Sequence, residues 1–126
     1  MKKAILFILL IFAPFALRGQ ASGPMINFEI ETINYGEISK GSDGVRTFIF
    51  ENTGNAPLEI QGVKSACGCT IPKKPEAPIA PGDKGEITVR YDTNRVGKFR
   101  KTITVKTNVS SKANIALKIS GIVLAN

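Results

Sequence analysis

Apolar and polar residues alternate in short runs along most of the chain after residue 24. Alternation with a period of two places successive side chains on opposite faces of a β-strand. The clearest runs are residues 25–31, 45–51, 84–92, 99–107 and 115–123. Segments containing glycine or proline separate them, and no stretch has the 3.6-residue period of an amphipathic helix. The pattern therefore predicts an all-β fold, a single β-sandwich of seven or eight strands.

Glycines and prolines add detail to this strand pattern. Gly36 interrupts an extended segment, and Gly62 puts Val63 out of phase with the residues before it. Both glycines predict bulges: the one at Gly62 returns Val63 to the core, and the one at Gly36 is a common way for a strand to move between sheets. The four prolines between residues 72 and 81 recur every third residue and predict an extended loop of polyproline type. Within that segment, Pro81 and Gly82 suit the centre of a type II turn.

The first 21 residues depart from the strand pattern. Lys2 and Lys3 precede an apolar run over residues 4–17, and small residues follow it. This order is typical of a secretory signal peptide, and the run is shorter than the roughly 20 residues of a membrane-spanning helix. We therefore predict a signal peptide over residues 1–21 and one domain over residues 22–126. The mature protein is expected to be periplasmic or secreted, without stable membrane insertion.

Charge and composition narrow the function classes. The chain has 17 basic and 10 acidic residues, a formal charge of +7, and Lys2, Lys3 and Arg18 lie in the predicted signal peptide, which leaves +4 beyond it. A basic cluster comprises Arg95, Lys98, Arg100, Lys101 and Lys106. Phe99 is the only aromatic residue among them, whereas single-stranded nucleic-acid sites use several stacking aromatics. The cluster therefore predicts a solvated basic surface and no nucleic-acid site, and contact with an anionic polymer stays open.

The chain has no histidine. Histidine is the most frequent general base and the most frequent metal ligand. Its absence argues against an enzyme, and against a hydrolase in particular, because no ordinary nucleophile and base pair can be assembled.

Both cysteines of the chain lie in the motif formed by Cys67, Gly68, Cys69 and Thr70. One hypothesis joins them in a disulfide, since Cα atoms two residues apart are separated by about 5–7 Å, near the upper part of the range that a disulfide tolerates. Closing so small a ring contributes only about 1.6 kcal/mol. Such a bond is a weak staple and is expected to be easily reduced.

Two other hypotheses for the same motif remain open. The two thiolates can hold a soft metal such as Cu(I), with Met25 as the only nearby candidate for a further soft donor, or with a second molecule completing the shell. Alternatively, the thiols are structural, two small buried side chains that flank a glycine at a tight backbone turn.

A series of motifs runs through nearly the whole predicted domain. It comprises Phe28, Asn-Tyr-Gly-Glu-Ile at 34–38, Phe-Ile-Phe-Glu-Asn-Thr-Gly at 48–54, Pro-Leu-Glu-Ile at 57–60, Ser-Ala-Cys-Gly-Cys-Thr at 65–70, Ile-Ala-Pro-Gly at 79–82, residues 97–108 and Ile-Ser-Gly at 119–121. Together these motifs resemble the bacterial family catalogued as domain of unknown function 1573. The resemblance implies an immunoglobulin-like sandwich, related to hydin-type, major-sperm-protein and pilus-chaperone domains, in exported bacterial proteins. It implies no agreed activity.

The leading functional hypothesis is an exported, non-catalytic immunoglobulin-like module that binds or assembles with a protein or a polymer of the bacterial envelope. No cofactor and no metal is expected. A partner strand is expected to pair with an exposed sheet edge, and the candidate edges are the first strand, with Ile26, Phe28 and Ile30, and the last strand, residues 114–124, with Ile115, Leu117 and Ile119. The alternative is a thiol redox or copper-binding protein that acts through Cys67 and Cys69.

Overall fold

The structure is a computed structural model that describes residues 23–125. The predicted signal peptide, residues 1–21, lies outside this part of the chain. Eight strands account for most of the described residues: β1 (Ile26–Phe28), β2 (Thr32–Ser39), β3 (Val45–Asn52), β4 (Ile60–Ser65), β5 (Thr70–Lys73), β6 (Lys84–Tyr91), β7 (Gly97–Thr107) and β8 (Asn114–Leu124). A short 3₁₀ helix, Ser110–Lys112, joins β7 to β8. Within residues 23–125, no helix has the length and apolarity that crossing a membrane requires.

The strands form two four-stranded sheets that pack face to face. Sheet A has the order β1-β3-β6-β5, and sheet B has the order β2-β8-β7-β4. Neighbouring strands are antiparallel except β2, which runs parallel to β8. The chain crosses from sheet A to sheet B between β1 and β2, at residues 29–31. The prediction of an all-β sandwich with seven or eight strands is confirmed.

The alternating apolar residues meet between the two sheets. The largest fully buried apolar side chains are Phe48, Phe50, Leu58, Ile87, Ile103, Leu117 and Ile119. One end of the core is aromatic, where Tyr91 stacks on Phe99 with 3.8 Å between ring centroids and Tyr35 packs edge-on against Phe99 at 5.3 Å. The Tyr35 hydroxyl donates a hydrogen bond of 2.8 Å to the carbonyl oxygen of Gly44, which satisfies its polar end.

Both predicted bulges are present. The pairing register of β2 with β8 shifts between Asn34 and Glu37, and Gly36 has a φ of +72°, a conformation that glycine adopts without a steric penalty. The crossing between sheets occurs earlier, at residues 29–31, and not at Gly36 as expected. The register of β4 with β7 shifts between Ile60 and Gly62, and Val63 packs against the core.

The proline-rich segment corrects one expectation and confirms another. Pro72 belongs to strand β5, so the extended loop begins only after Lys73. A proline fits there because β5 is an edge strand, where a missing N–H need not break a ladder. The predicted turn is confirmed: the N–H of Asp83 donates to the carbonyl oxygen of Ala80, and Gly82 has a φ of +86°.

Candidate functional site

The Cys-Gly-Cys motif forms a short loop between the edge strands β4 and β5. A disulfide joins Cys67 to Cys69, whose Cα atoms are 5.2 Å apart. The N–H of Cys69 lies 3.1 Å from the sulfur of Cys67, and the N–H of Thr70 donates to the carbonyl oxygen of Cys67 at 3.2 Å. The disulfide hypothesis is confirmed. In this state neither sulfur is a free thiol or a thiolate ligand.

The two ends of the disulfide differ in their surroundings. Cys69 is 4% exposed and belongs to the core, and its sulfur lies 3.7 Å from the hydroxyl oxygen of the buried Thr70. Cys67 is only half-buried, and Gly68 between them is exposed. A reagent from solvent therefore reaches the bond most easily at Cys67.

Met25 is too distant to complete a metal site with the two cysteines. It directly precedes β1, and β1 and β5 lie at opposite edges of sheet A. Three strand spacings separate those edges, roughly 14 Å. Within residues 23–125, no group of three or more cysteine, aspartate or glutamate side chains has a geometry that could hold a metal ion.

The open edges of the sandwich differ from those expected. Strand β8 pairs with β2 on one side and β7 on the other, so it is an interior strand and offers no edge. Its residues Ile115, Leu117 and Ile119 are buried between the sheets. The expectation of an edge at residues 114–124 is therefore wrong, because the parallel pairing of β2 with β8 cannot be read from one strand's own sequence.

Strand β1 is an open edge of sheet A, as expected, but it is only three residues long. Ile26 and Phe28 are 3% and 8% exposed and point into the core. Ile30 is 53% exposed but lies beyond the end of the strand. Very short edge strands are one device by which proteins prevent strand pairing with another chain.

The other three open edges, β5, β2 and β4, also have features that prevent pairing with a further strand. Next to β5, the N–H of Asp92 donates to the carbonyl oxygen of Cys69. Backbone groups along β5 point alternately towards β6 and away from it, so those of Thr70 and Pro72 point to the open side. The Thr70 N–H is already bonded to Cys67, and proline has no N–H, so β5 presents no free donor. Strands β2 and β4 each carry a bulge, which interrupts the regular row of backbone groups that a partner strand needs.

The outer face of sheet B carries a row of basic side chains. They are Lys98, Arg100 and Lys106 on β7, Lys64 on β4 and Lys118 on β8, and we call them the basic row. All five are exposed, and none forms an ion pair within residues 23–125. Cross-strand pairing aligns Lys118 with Thr102 and Lys64 with Thr104. The outward-facing positions of β7 are 98, 100, 102, 104 and 106. Each of them therefore has one cation, either on β7 itself or on the residue paired with it in β8 or β4.

This face accounts for the net charge of the described domain. Of the 17 basic residues, 14 lie beyond the predicted signal peptide, together with all 10 acidic residues. The outward-facing residues of the four strands of sheet B include the five of the basic row and a single acid, Glu37 on β2. Nine basic and nine acidic residues remain elsewhere and cancel. The charge of +4 is therefore concentrated on one side of the sandwich.

An open hollow lies at one end of the basic row. It has a volume of about 350 Å³ and forms beside the bulge of β2, where Gly36 contributes no side chain. Lys98, Arg100 and Ser120 are among its lining residues, with Asn34 and Glu37 at the β2 side. The hollow is large enough for a single sugar-sized group and has both basic and hydroxyl groups around it.

The basic cluster predicted from the sequence is only partly the same set. Lys98, Arg100 and Lys106 lie together as expected, but Lys101 has the inward phase of its core neighbours and is half-buried, and Arg95 lies in the loop before β7. Lys64 and Lys118 were missed because they are distant in sequence. The sequence pattern could have identified them, since each lysine alternates with core residues of its own strand and must therefore face outwards.

A family model described as "Protein of unknown function (DUF1573)" matches residues 26–123. The chain belongs to this family. No curated protein matches it. The DUF1573 match covers all eight strands up to Val123, so the Cys-Gly-Cys loop and the basic row both lie within the family domain.

Solved structures with the same fold have little sequence in common with this DUF1573 chain. A protein of unknown function from Porphyromonas gingivalis W83 superposes with a TM-score of 0.70 at 13% identity, over 79% of this chain and 46% of its own. The ASH/PapD-like domain 7 of human CEP192 gives 0.65 at 9% identity, over 90% and 99%. The periplasmic chaperone SfaE gives 0.53 at 11% identity, over 81% and 58%. These similarities show an immunoglobulin-like, PapD-related fold. The chain spans less than half of the P. gingivalis protein.

Proposed function

We propose that this protein is an exported, non-catalytic binding module that recognises its partner through the outer face of sheet B. The observation that carries the proposal is the concentration of the net charge of +4 on that face, in side chains without ion-pair partners. Proteins ordinarily disperse both signs of charge over their surface, and a face of one sign attracts a partner of the other sign.

Recognition through the face is favoured over pairing of strands at an edge. Strand addition requires a regular series of free N–H and C=O groups. The short β1, the proline in β5 and the bulges at Gly36 and Gly62 interrupt that series at all four edges of the described domain. The face of sheet B has no comparable obstruction.

Export is supported by the predicted signal peptide over residues 1–21 and by the fold shared with the periplasmic chaperone SfaE. A small-ring disulfide is also consistent with an oxidising compartment. The absence of histidine supports a non-catalytic role.

Site-specific photo-crosslinking in the bacterium that encodes the protein tests this proposal. A photoreactive amino acid replaces Thr102, which is paired with Lys118 and lies two residues from Arg100 on the outer face of sheet B. Thr47, exposed on the outer face of sheet A, is the matched control position. We expect an adduct from position 102 that is lost when Arg100→Glu and Lys118→Glu are added, and little adduct from position 47. Equal yields from both positions, or no adduct from position 102, would refute recognition through this face.

A second candidate function is thiol–disulfide exchange, which the disulfide and the partial exposure of Cys67 favour. A protein dithiol would attack the sulfur of Cys67, form a mixed disulfide and release Cys69 as a thiolate that takes up a proton. The second thiol of the donor would then displace Cys67, so that the donor ends as a disulfide and both cysteines of this chain as thiols. The net transfer is two electrons and two protons from the donor.

Titration of the native protein with dithiothreitol, followed by thiol counting on the intact mass, tests this second candidate. We expect two thiols to appear while circular dichroism remains unchanged, because ring closure stabilises the fold by only about 1.6 kcal/mol. The Cys67→Ala/Cys69→Ala variant provides the control for the folded state without the bond. A disulfide that resists reduction until a denaturant unfolds the protein would contradict a redox role.

A further inference from the structure

We propose that the partner of the outer face of sheet B is a linear acidic polysaccharide, a polyuronate whose chain lies along β7 over the basic row. This inference rests on the proposed function, and it names the chemistry of the partner. It is carried by three features of the face: the succession of its cations along the direction of β7, the hydroxyl groups beside them and the hollow at one end.

The cations of the basic row follow one another along the direction of β7. Their order along β7 is Lys98, Arg100, Lys118, Lys64 and Lys106, one at each successive outward position. A strand rises about 3.4 Å per residue, so these positions recur about every 7 Å and the row spans roughly 27 Å. Lys98, Arg100 and Lys106 lie on β7 itself, and Lys118 and Lys64 lie one strand away on either side. An extended anionic chain with a negative group on each repeating unit, lying along β7, would therefore meet one cation at each step.

Short hydroxyl side chains lie directly beside three of the cations: Thr102 is paired with Lys118, Thr104 with Lys64 and Ser120 with Arg100. Thr102, Thr104 and Ser120 face outwards on β7 and β8, and no hydrogen bond of their hydroxyl groups is found within residues 23–125. Such groups donate and accept hydrogen bonds, as sugar hydroxyls do. The floor of the row is therefore low and polar, and a flat sugar ring can approach it while its carboxylate contacts a lysine.

The hollow beside the β2 bulge gives the row a defined end. Arg100 lines it, and a guanidinium binds a carboxylate through two parallel hydrogen bonds, which lysine cannot do. Glu37 on the far side repels an anion there. An acidic sugar seated in the hollow would thus place its carboxylate towards Arg100 and its hydroxyls towards Ser120.

Other anionic macromolecules fit this face less well. Every tyrosine and phenylalanine between residues 23 and 125 is at most 8% exposed, so the described surface has no aromatic platform on which bases could stack. The centre of the face has threonine, serine and alanine instead of apolar side chains that could enter a bilayer. The five cations, on three adjacent strands, also contact only a narrow strip of a planar membrane surface.

Binding of alginate oligomers, which are linear polyuronates, to the purified mature protein tests the inference. We expect the dissociation constant to rise with salt along a log–log slope of about 3.5, since five contacts release about 0.7 ion each from a single-stranded polyanion. Each of Lys64→Gln and Lys118→Gln should weaken binding about three-fold, in line with exposed ion pairs. Lys84→Gln, exposed on sheet A, is the matched control and should leave the affinity unchanged.

The comparison probes are an oligothymidylate and polyphosphate of equal charge, neutral dextran, and vesicles containing anionic phospholipid. Weak or absent binding to all four, with row-dependent binding to alginate, supports the inference. Equal or tighter binding to any of them, or an equal loss of affinity in the Lys84→Gln control, overturns it. If position 102 crosslinks to a partner in the cell but alginate does not bind, the polysaccharide is wrong and recognition through this face stands. If neither occurs, both proposals fail.

Discussion

Replacement of the buried Asn52 by alanine should unfold the protein at a much lower temperature, although Asn52 touches neither candidate site. Asn52 ends strand β3, and its side chain is completely buried. Its amide nitrogen donates to the carbonyl oxygens of Ala56 at 2.8 Å and Ile79 at 2.9 Å. Its amide oxygen accepts from the N–H groups of Gly54 at 2.9 Å and, more weakly, Met25 at 3.4 Å. One side chain thereby holds together three segments that are distant in sequence.

The expected loss follows from these bonds. Three of them have good geometry, and each contributes about 1 kcal/mol net to stability. The alanine variant also leaves the Gly54 N–H and the Ala56 carbonyl without a partner, so a total of about 3–4 kcal/mol is expected. This is a large part of the roughly 5–15 kcal/mol that stabilises a domain. The melting temperature should fall by roughly 12–32 °C, since a domain of this size loses about 4–8 °C per kcal/mol.

Urea denaturation and differential scanning calorimetry measure this loss directly. Asn27, an exposed residue of β1 on the same sheet, is the matched control, and Asn27→Ala should change stability by no more than about 0.5 kcal/mol. A loss below about 1 kcal/mol in Asn52→Ala would refute the reasoning, because it would mean that the four bonds are dispensable or are replaced by water.

Two further predictions concern the aromatic end of the core. Burial raises the pKa of Tyr35 to about 12. The positive charge of Arg46 lowers this pKa, and the negative charge of Asp43 raises it. In the unfolded chain the phenol ionises near pH 10, so its contribution to stability is complete below pH 10 and is lost as the pH rises towards 12, by at most about 1.4 kcal/mol per pH unit. The difference in unfolding free energy between the wild type and Tyr35→Phe should shrink over that interval, and a constant difference from pH 9 to pH 12 would contradict it. Gly121→Ala should cost about 1–3 kcal/mol, since its Cβ would lie 2.8 Å from the Cβ of Tyr35 and 3.0 Å from the ring of Phe99. Gly62→Ala, with no atom within 4 Å of the new Cβ, is its control in thermal melts, and equal melting temperatures for the two variants would show that the contact is unimportant.

The Cys-Gly-Cys loop shows how local chemistry can be predicted while its use stays open. The spacing of Cys67 and Cys69 allowed a disulfide, and the structure contains it. The half-buried state of Cys67 and the full burial of Cys69 depend on how β4 and β5 pack at the end of the sandwich. That difference determines which sulfur a reagent can reach.

The alternation of apolar and polar residues by itself determined that this protein is an all-β sandwich, where two of its bulges lie and which side of each strand faces the core. These are local properties, because the side-chain direction along a strand follows from a period of two. The sequence also determined that Lys64, Arg100 and Lys118 face solvent, since each lies out of phase with the core residues of its strand.

Only the tertiary structure decided which strands are neighbours. Strand β2 pairs in parallel with β8, which turns the predicted edge at residues 114–124 into an interior strand. Pairing also aligns Lys64 and Lys118 with the two threonines of β7 that separate Arg100 from Lys106, and thereby assembles the basic row. The physical reason is that strand pairing is made by backbone hydrogen bonds that every residue can offer. Partner and register are therefore set by the packing of the whole core and not by the sequence of either strand alone.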